Sequence, residues 1–120
     1  MRILVFGAGV IGCNLARSLY RAGKDVTLLA RGAWAEEIQK NGLRIKGKFS
    51  PRMSVTRIPV VTELKPEDQY DVIFVVMRYG PCFFGSRRIV IMLQKRLKSY
   101  NFRRIIHLDK HRSIFLCYTT

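Results

Sequence analysis

Acidic side chains are scarce in this 120-residue sequence: 8 Asp and Glu stand against 22 Lys and Arg, for a formal net charge of +14. Histidine occurs twice and cysteine three times. Cys13, Cys82 and Cys117 have no metal-ligand spacing, and His107 and His111 lie four apart with no further ligand beside them, so no metal site is expected. An odd cysteine count without a secretion signal points to reduced thiols and a cytoplasmic protein. No apolar run approaches the ~18 residues of a transmembrane helix, so no membrane span is expected. No internal repeat or low-complexity segment occurs, which leaves no sign of a solenoid or a fibrous protein.

What is present is a globular composition, 48% hydrophobic and 25% charged, at a length that suits one domain. The basic excess is uneven. Residues 1–77 carry 12 Lys and Arg against 7 Asp and Glu, whereas residues 78–120 carry 10 against Asp109 alone.

The most informative stretch is Met-Arg-Ile-Leu-Val-Phe-Gly-Ala-Gly-Val-Ile-Gly at positions 1–12. Ile3 to Phe6 is an apolar, β-rich run of the kind buried on both faces. Gly7, Gly9 and Gly12 follow at G-x-G-x-x-G spacing. From Val10 the apolar period becomes helical, with Ile11, Leu15 and Leu19 on one face. The strand–glycines–helix order gives the motif its meaning. Gly7 permits a sharp turn off the strand, Gly9 lets backbone approach a pyrophosphate, and Gly12 lets the helix pack closely. The helix N-terminus then offers unpaired N–H groups to phosphate oxygens. Gly7, Ala8, Gly9, Val10, Ile11 and Gly12 are therefore assigned to a dinucleotide. Cys13 reads as a small buried residue of the first helix.

The remaining elements follow in order. The helix runs from Val10 to Arg21 and stops at Gly23 in the left-handed C′ position. Asp25 to Ala30 is the second strand, parallel to the first. An NAD-preferring domain places Asp or Glu after that strand to bond the ribose 2′-hydroxyl. Here stand Ala30, Arg31 and Gly32. Arg31 suits a 2′-phosphate through its planar fork, a charged contact of roughly 1.5–3 kcal/mol, which points to NADPH. Residues 34–41 read as a short helix with Glu36 and Glu37 near its start, ended by Gly42, and Trp34 reads as a helix-packing residue rather than an adenine platform. Residues 43–46 alternate as a strand. Residues 53–61 are extended, with Pro59 confining them to an edge or an end. Residues 72–76 form a second fully apolar strand, on the other side of the first. Its end, Met77 and Arg78, faces the cofactor cleft. The fold class is α/β: a Rossmann-type, doubly wound parallel sheet with helices on both faces.

Together these stretches resemble the N-terminal NADP-binding domain of the ketopantoate reductase (2-dehydropantoate 2-reductase) family. The matching residues are positions 1–12, Leu29-Ala-Arg-Gly32, Ile38-Gln-Lys-Asn-Gly-Leu-Arg-Ile45 and Tyr70-Asp-Val-Ile-Phe-Val-Val-Met-Arg78, covering about residues 1–79. The resemblance implies an NADPH-dependent oxidoreductase that reduces the keto group of a 2-keto acid on the way to pantothenate. It implies that Gly7 to Gly12 hold the pyrophosphate, that Arg31 holds the 2′-phosphate, and that Arg78, where the family usually has Lys, lies beside the nicotinamide. Departures begin after residue 79. Pro81 stands where Gln is usual, and Ile105-Ile-His-Leu-Asp109 lacks the family's Asn-Gly turn. The family's helical C-terminal domain, which supplies the catalytic Lys and the substrate contacts, has no counterpart here. No catalytic residue is assigned, residues 1–120 are read as one dinucleotide-binding domain, and little or no turnover is expected of this chain alone.

The basic tail, residues 80–120, has two readings. It is either a helix capped by Ser86 and running to about residue 100, followed by strands at 104–108 and 114–118, or a frame-shifted or degenerate remnant of a longer gene. A 2-keto acid is expected as partner only with a second domain. A cleft face without that domain favours a homo-oligomer. The alternatives are a non-catalytic NADP(H)-binding or oligomerising module and, through residues 86–104, a nucleic-acid binder. The latter has no helix-turn-helix, zinc or ribonucleoprotein signature behind it.

Overall fold

Strand β1 (Arg2–Phe6) is buried along almost its whole length, with Leu4 and Val5 fully inaccessible. A strand with apolar residues at every position must be covered on both faces, and the rest of the fold supplies that cover. The computed structural model describes residues 1–65, 67–77, 105–107 and 113–118. After β1 come α1 (Val10–Arg21), β2 (Asp25–Leu29), α2 (Gly32–Asn41), β3 (Leu43–Lys46), β4 (Met53–Thr56), β5 (Val60–Val61), β6 (Val72–Met77), β7 (Ile105–His107) and β8 (Ser113–Tyr118).

The main sheet has the order β5-β2-β1-β6-β8-β7. Its first four strands are parallel. As expected, β1 lies between β2 and β6, at the point where the chain's crossovers change direction. β8 runs antiparallel to β6, and β7 antiparallel to β8. The tail thus adds two strands close to their expected positions, but not a further parallel layer. The five residues between β7 and β8 are enough for a hairpin, whereas a parallel return needs a crossover of about a dozen. The expected helix from Ser86 lies outside the described residues.

Both described helices cover one face of the sheet. Cys13 and Ala16 of α1 and Ala35 and Ile38 of α2 pack on Ile3, Val5, Val26 and Leu28. The residues of α1 in deepest contact are small: Gly12, Cys13 and Ala16 are buried, while Ile11, Leu15 and Leu19 flank them. The opposite face, with Leu4, Phe6, Leu29, Ile73 and Val75, is closed among the described residues by Leu64 and Tyr70 from the segment before β6. Arg2 and Asp71 fasten the lower end. The Arg2 amide donates to Asp71 Oδ2 at 2.7 Å, and the Asp71 amide donates to the Arg2 carbonyl at 2.9 Å.

The stretch 53–61 is two strands rather than one. β4 pairs with β3 as a separate antiparallel hairpin, and β5 joins the outer side of β2. Pro59 falls in the break, where its missing N–H interrupts no ladder. α2 begins two residues earlier than expected, so Glu36 and Glu37 lie beyond its first turn, which holds no acid. Gly42, at φ 77°, turns the chain from α2 into β3.

Candidate functional site

The strand register gathers the expected site residues along one edge of the sheet. Phe6 pairs with Leu29 on one side and with Val75 on the other. Just beyond these pairs the chain leaves β1 at Gly7, leaves β2 at Ala30 and Arg31, and reaches the end of β6 at Met77. Gly7 to Gly12, Arg31 and Met77 therefore share the C-terminal edge of the parallel strands, where open α/β sheets hold their ligands. Arg78 lies outside the described residues.

The three glycines have different duties. Gly7 has φ 116°, a region that other residues rarely adopt, and a Cβ there would meet the carbonyl oxygen of Val76. A Cβ on Gly12 would meet the carbonyl oxygen of Gly7 and lie 3.7 Å from Val5 Cγ1. Both are dictated by internal packing. Gly9 is not: φ is −79° and nothing lies within 4 Å of a Cβ placed on it. Its missing side chain leaves room on the open side of the loop.

That open side adjoins the start of α1. Gly9 is the N-cap, makes no side-chain cap bond, and no acidic residue stands in the first turn. The first intrahelical bond runs from the Cys13 N–H to the Gly9 carbonyl at 2.9 Å. The amides of Val10, Ile11 and Gly12 precede it and have no helical acceptor. Val10 is 75% exposed. A capless helix start with open backbone around it is suited to an anion, since the orphan donors and the positive end of the helix dipole act together.

Arg31 is the N-cap of α2, in extended conformation at φ −127° and ψ 154°. Its side chain is exposed, and among the described residues it forms no ion pair. Nothing there competes for a guanidinium fork suited to phosphate oxygens. Two further basic groups, Arg44 and Lys46 of β3, border the open space beside the glycine loop. Arg44 is paired with Glu37 at 2.6 Å, and that pair, with the Asn41 side chain as the larger influence, holds the Glu37 carboxyl below its ordinary range.

Trp34 departs from the expectation of a packing residue. It is 46% exposed, and its indole Nε1–H donates to the carbonyl oxygen of Ala8, inside the glycine loop, at 3.0 Å. A tertiary contact of this kind leaves no trace in periodicity. Cys13 is buried as expected. Burial pushes its thiol up, and a hydrogen bond with Trp34 partly offsets this. A cavity of about 410 Å³ lies between the glycine loop and the hairpin, bordered by Ala8, Gly9, Val10, Trp34, Arg44 and Lys46. Among the described residues, no three His, Cys, Asp or Glu side chains gather as metal ligands do, and no helix is long and apolar enough to cross a membrane.

Known proteins match the same region. The family model described as Ketopantoate reductase PanE/ApbA matches residues 3–80. A 2-dehydropantoate 2-reductase of Mesorhizobium japonicum is 40% identical over 74 residues, which is 61% of this chain and 23% of that protein. Its counterpart in Pyrococcus horikoshii is 36% identical over 67 residues, 56% of this chain and 22% of that protein. The chain thus spans less than a quarter of the length of these relatives. Among solved structures, a D-mandelate dehydrogenase in ternary complex with NADH and anilino(oxo)acetate superposes with a TM-score of 0.60 at 27% identity, covering 78% of this chain and 28% of that one.

Proposed function

Since the chain belongs to the ketopantoate reductase family, we propose that its 120 residues form one dinucleotide-binding domain whose cofactor is NADPH. The observation that carries this reading is the start of α1: a capless helix N-terminus behind a glycine loop in which Gly9 alone is free of packing demands. These residues fit a pyrophosphate. Gly7, Ala8 and Gly9 would bring backbone close to it, and the amides of Val10, Ile11 and Gly12 would donate to its oxygens. Arg31 would hold the 2′-phosphate, in the place where an NAD-binding domain carries a carboxylate. Met77 and Arg78 would flank the nicotinamide half.

When bound, the nicotinamide supplies a hydride. In the whole protein the acceptor would be the carbonyl carbon of a 2-keto acid such as ketopantoate, on the route to pantothenate. What the described residues contribute is affinity, orientation and the choice between two cofactors. A keto oxygen also has to be held and protonated by positioned donors, and we assign none of the described residues to that task.

The test is a fluorescence titration of the purified chain with NADPH and, in parallel, with NADH. Saturable binding that favours NADPH by about tenfold or more supports the glycine loop and Arg31 as a working site. Equal binding removes Arg31 from its role. No binding by either removes the reading.

A further inference from the structure

We propose that Trp34 is a positioning residue that orients the glycine loop from the first turn of α2. The proposal rests on the nucleotide-binding reading above and adds a residue to it.

The loop has few ties of its own. Two of its three residues are glycines, the least constrained of all residues. The Gly7 N–H reaches the Leu29 carbonyl at 3.4 Å, a long bond. The 3.0 Å bond from the Trp34 indole to the Ala8 carbonyl is shorter and arrives from another element. The indole does not behave as core. Ala35 and Ile38 of the same helix are at most 2% exposed, whereas Trp34 keeps nearly half its surface in solvent. Tryptophan's only donor is thus used on one carbonyl of the loop.

The planar peptide turns this bond into a directional device. The Ala8 C=O and the Gly9 N–H belong to one trans peptide unit and point in opposite directions. Holding the Ala8 carbonyl toward α2 therefore turns the Gly9 N–H away from α2. That N–H has no protein acceptor among the described residues. It joins the three orphan amides of the α1 start as a fourth donor with a fixed orientation. Because the pyrophosphate is common to NADPH and NADH, loss of this orientation should weaken both equally. Arg31, in contrast, separates the two.

Trp34→Phe keeps an aromatic ring and removes the donor. The expected result is a rise in Kd of about 3- to 10-fold for NADPH and by the same factor for NADH, with a melting temperature within a few degrees of the parent. Unchanged affinity overturns the proposal, and so does a loss confined to NADPH. A loss of affinity that comes with loss of the fold also counts against it, since the indole is then structural. The parent chain offers a second readout. In an amide-proton spectrum the Trp34 indole N–H should be protected from solvent exchange, and rapid exchange would overturn the tie to Ala8. If the parent binds neither dinucleotide, the nucleotide reading falls and this proposal falls with it, even with a protected indole. A parent that binds normally beside an unaffected Trp34→Phe sinks this proposal alone.

Discussion

A side chain on Gly12 would run into the carbonyl oxygen of Gly7, five residues back at the top of β1. The helix and the strand end approach so closely there that only a hydrogen fits. Neither partner can yield cheaply, since both atoms belong to backbone. Gly12→Ala should therefore destabilise the chain by about 1–3 kcal/mol or more, read as a lower urea midpoint, and should disturb the loop as well. Gly9→Ala makes the opposite pattern. Its Cβ has open space and its φ is ordinary. Stability should fall by about 1 kcal/mol or less, while the affinity for either dinucleotide falls at least tenfold, because the methyl group occupies the room left for the ligand.

Arg31→Asp should reverse the cofactor preference. NADPH loses a charge-assisted contact and meets a carboxylate, so its Kd should rise roughly 10- to 100-fold. NADH gains a potential acceptor for its ribose hydroxyl and should bind at least as well as before. Parallel titrations of the two cofactors measure the ratio directly. An unchanged NADPH affinity would remove Arg31 from the site.

Tyr70 ties stability to alkaline pH. Its phenol is buried under β1 and β2, and burial pushes its pKa above the ordinary value of 10.0, with Asp68 adding to the effect and Arg2 and Thr27 opposing it. The folded state thus keeps the proton longer than the unfolded state. This contribution is complete below about pH 10 and is lost as pH rises through the higher folded value. Urea midpoints should hold up to about pH 10 and fall above it, and Tyr70→Phe should show a shallower fall.

These 120 residues, mixed with NADPH and ketopantoate, should oxidise no cofactor above background. Holding a cofactor and activating a carbonyl are separate tasks, and only the first has residues assigned to it here. Absorbance loss of the dihydronicotinamide measures the rate. A single turnover above background would show that the chain supplies its own donor to the keto oxygen.

The sequence made the centre of the fold plain and its surroundings less so. The continuous apolar runs of β1 and β6 admit only a strand covered on both faces, and the glycine spacing placed the turn between β1 and α1 to the residue. Ile11, Leu15 and Leu19 pack against the core as their period implies, and Gly12 and Cys13 are buried as expected, but Ala16 between them had no signal of its own. Close approach to a sheet selects small residues, which hydrophobic periodicity undercounts. The bond from Trp34 to Ala8 spans 26 positions and depends on where α2 lands. The reversed direction of β8 depends on the short connection that follows β7, whereas local patterning is the same for either strand direction.

The reciprocal bonds between Arg2 and Asp71 join residues 69 apart in the chain. β1 can find β2 after a short helical crossover, but its other neighbour arrives only when β6 has been made. A ribosome that has released only the first 60 residues has exposed half of the central strand's hydrogen-bonding edge with nothing to pair it. Long-range parallel pairing is slow because the intervening chain must be closed before any contact rewards it. The β6 side of the central strand is thus completed only after its β2 side. For its first moments outside the tunnel, β1 depends on being shielded rather than on being folded.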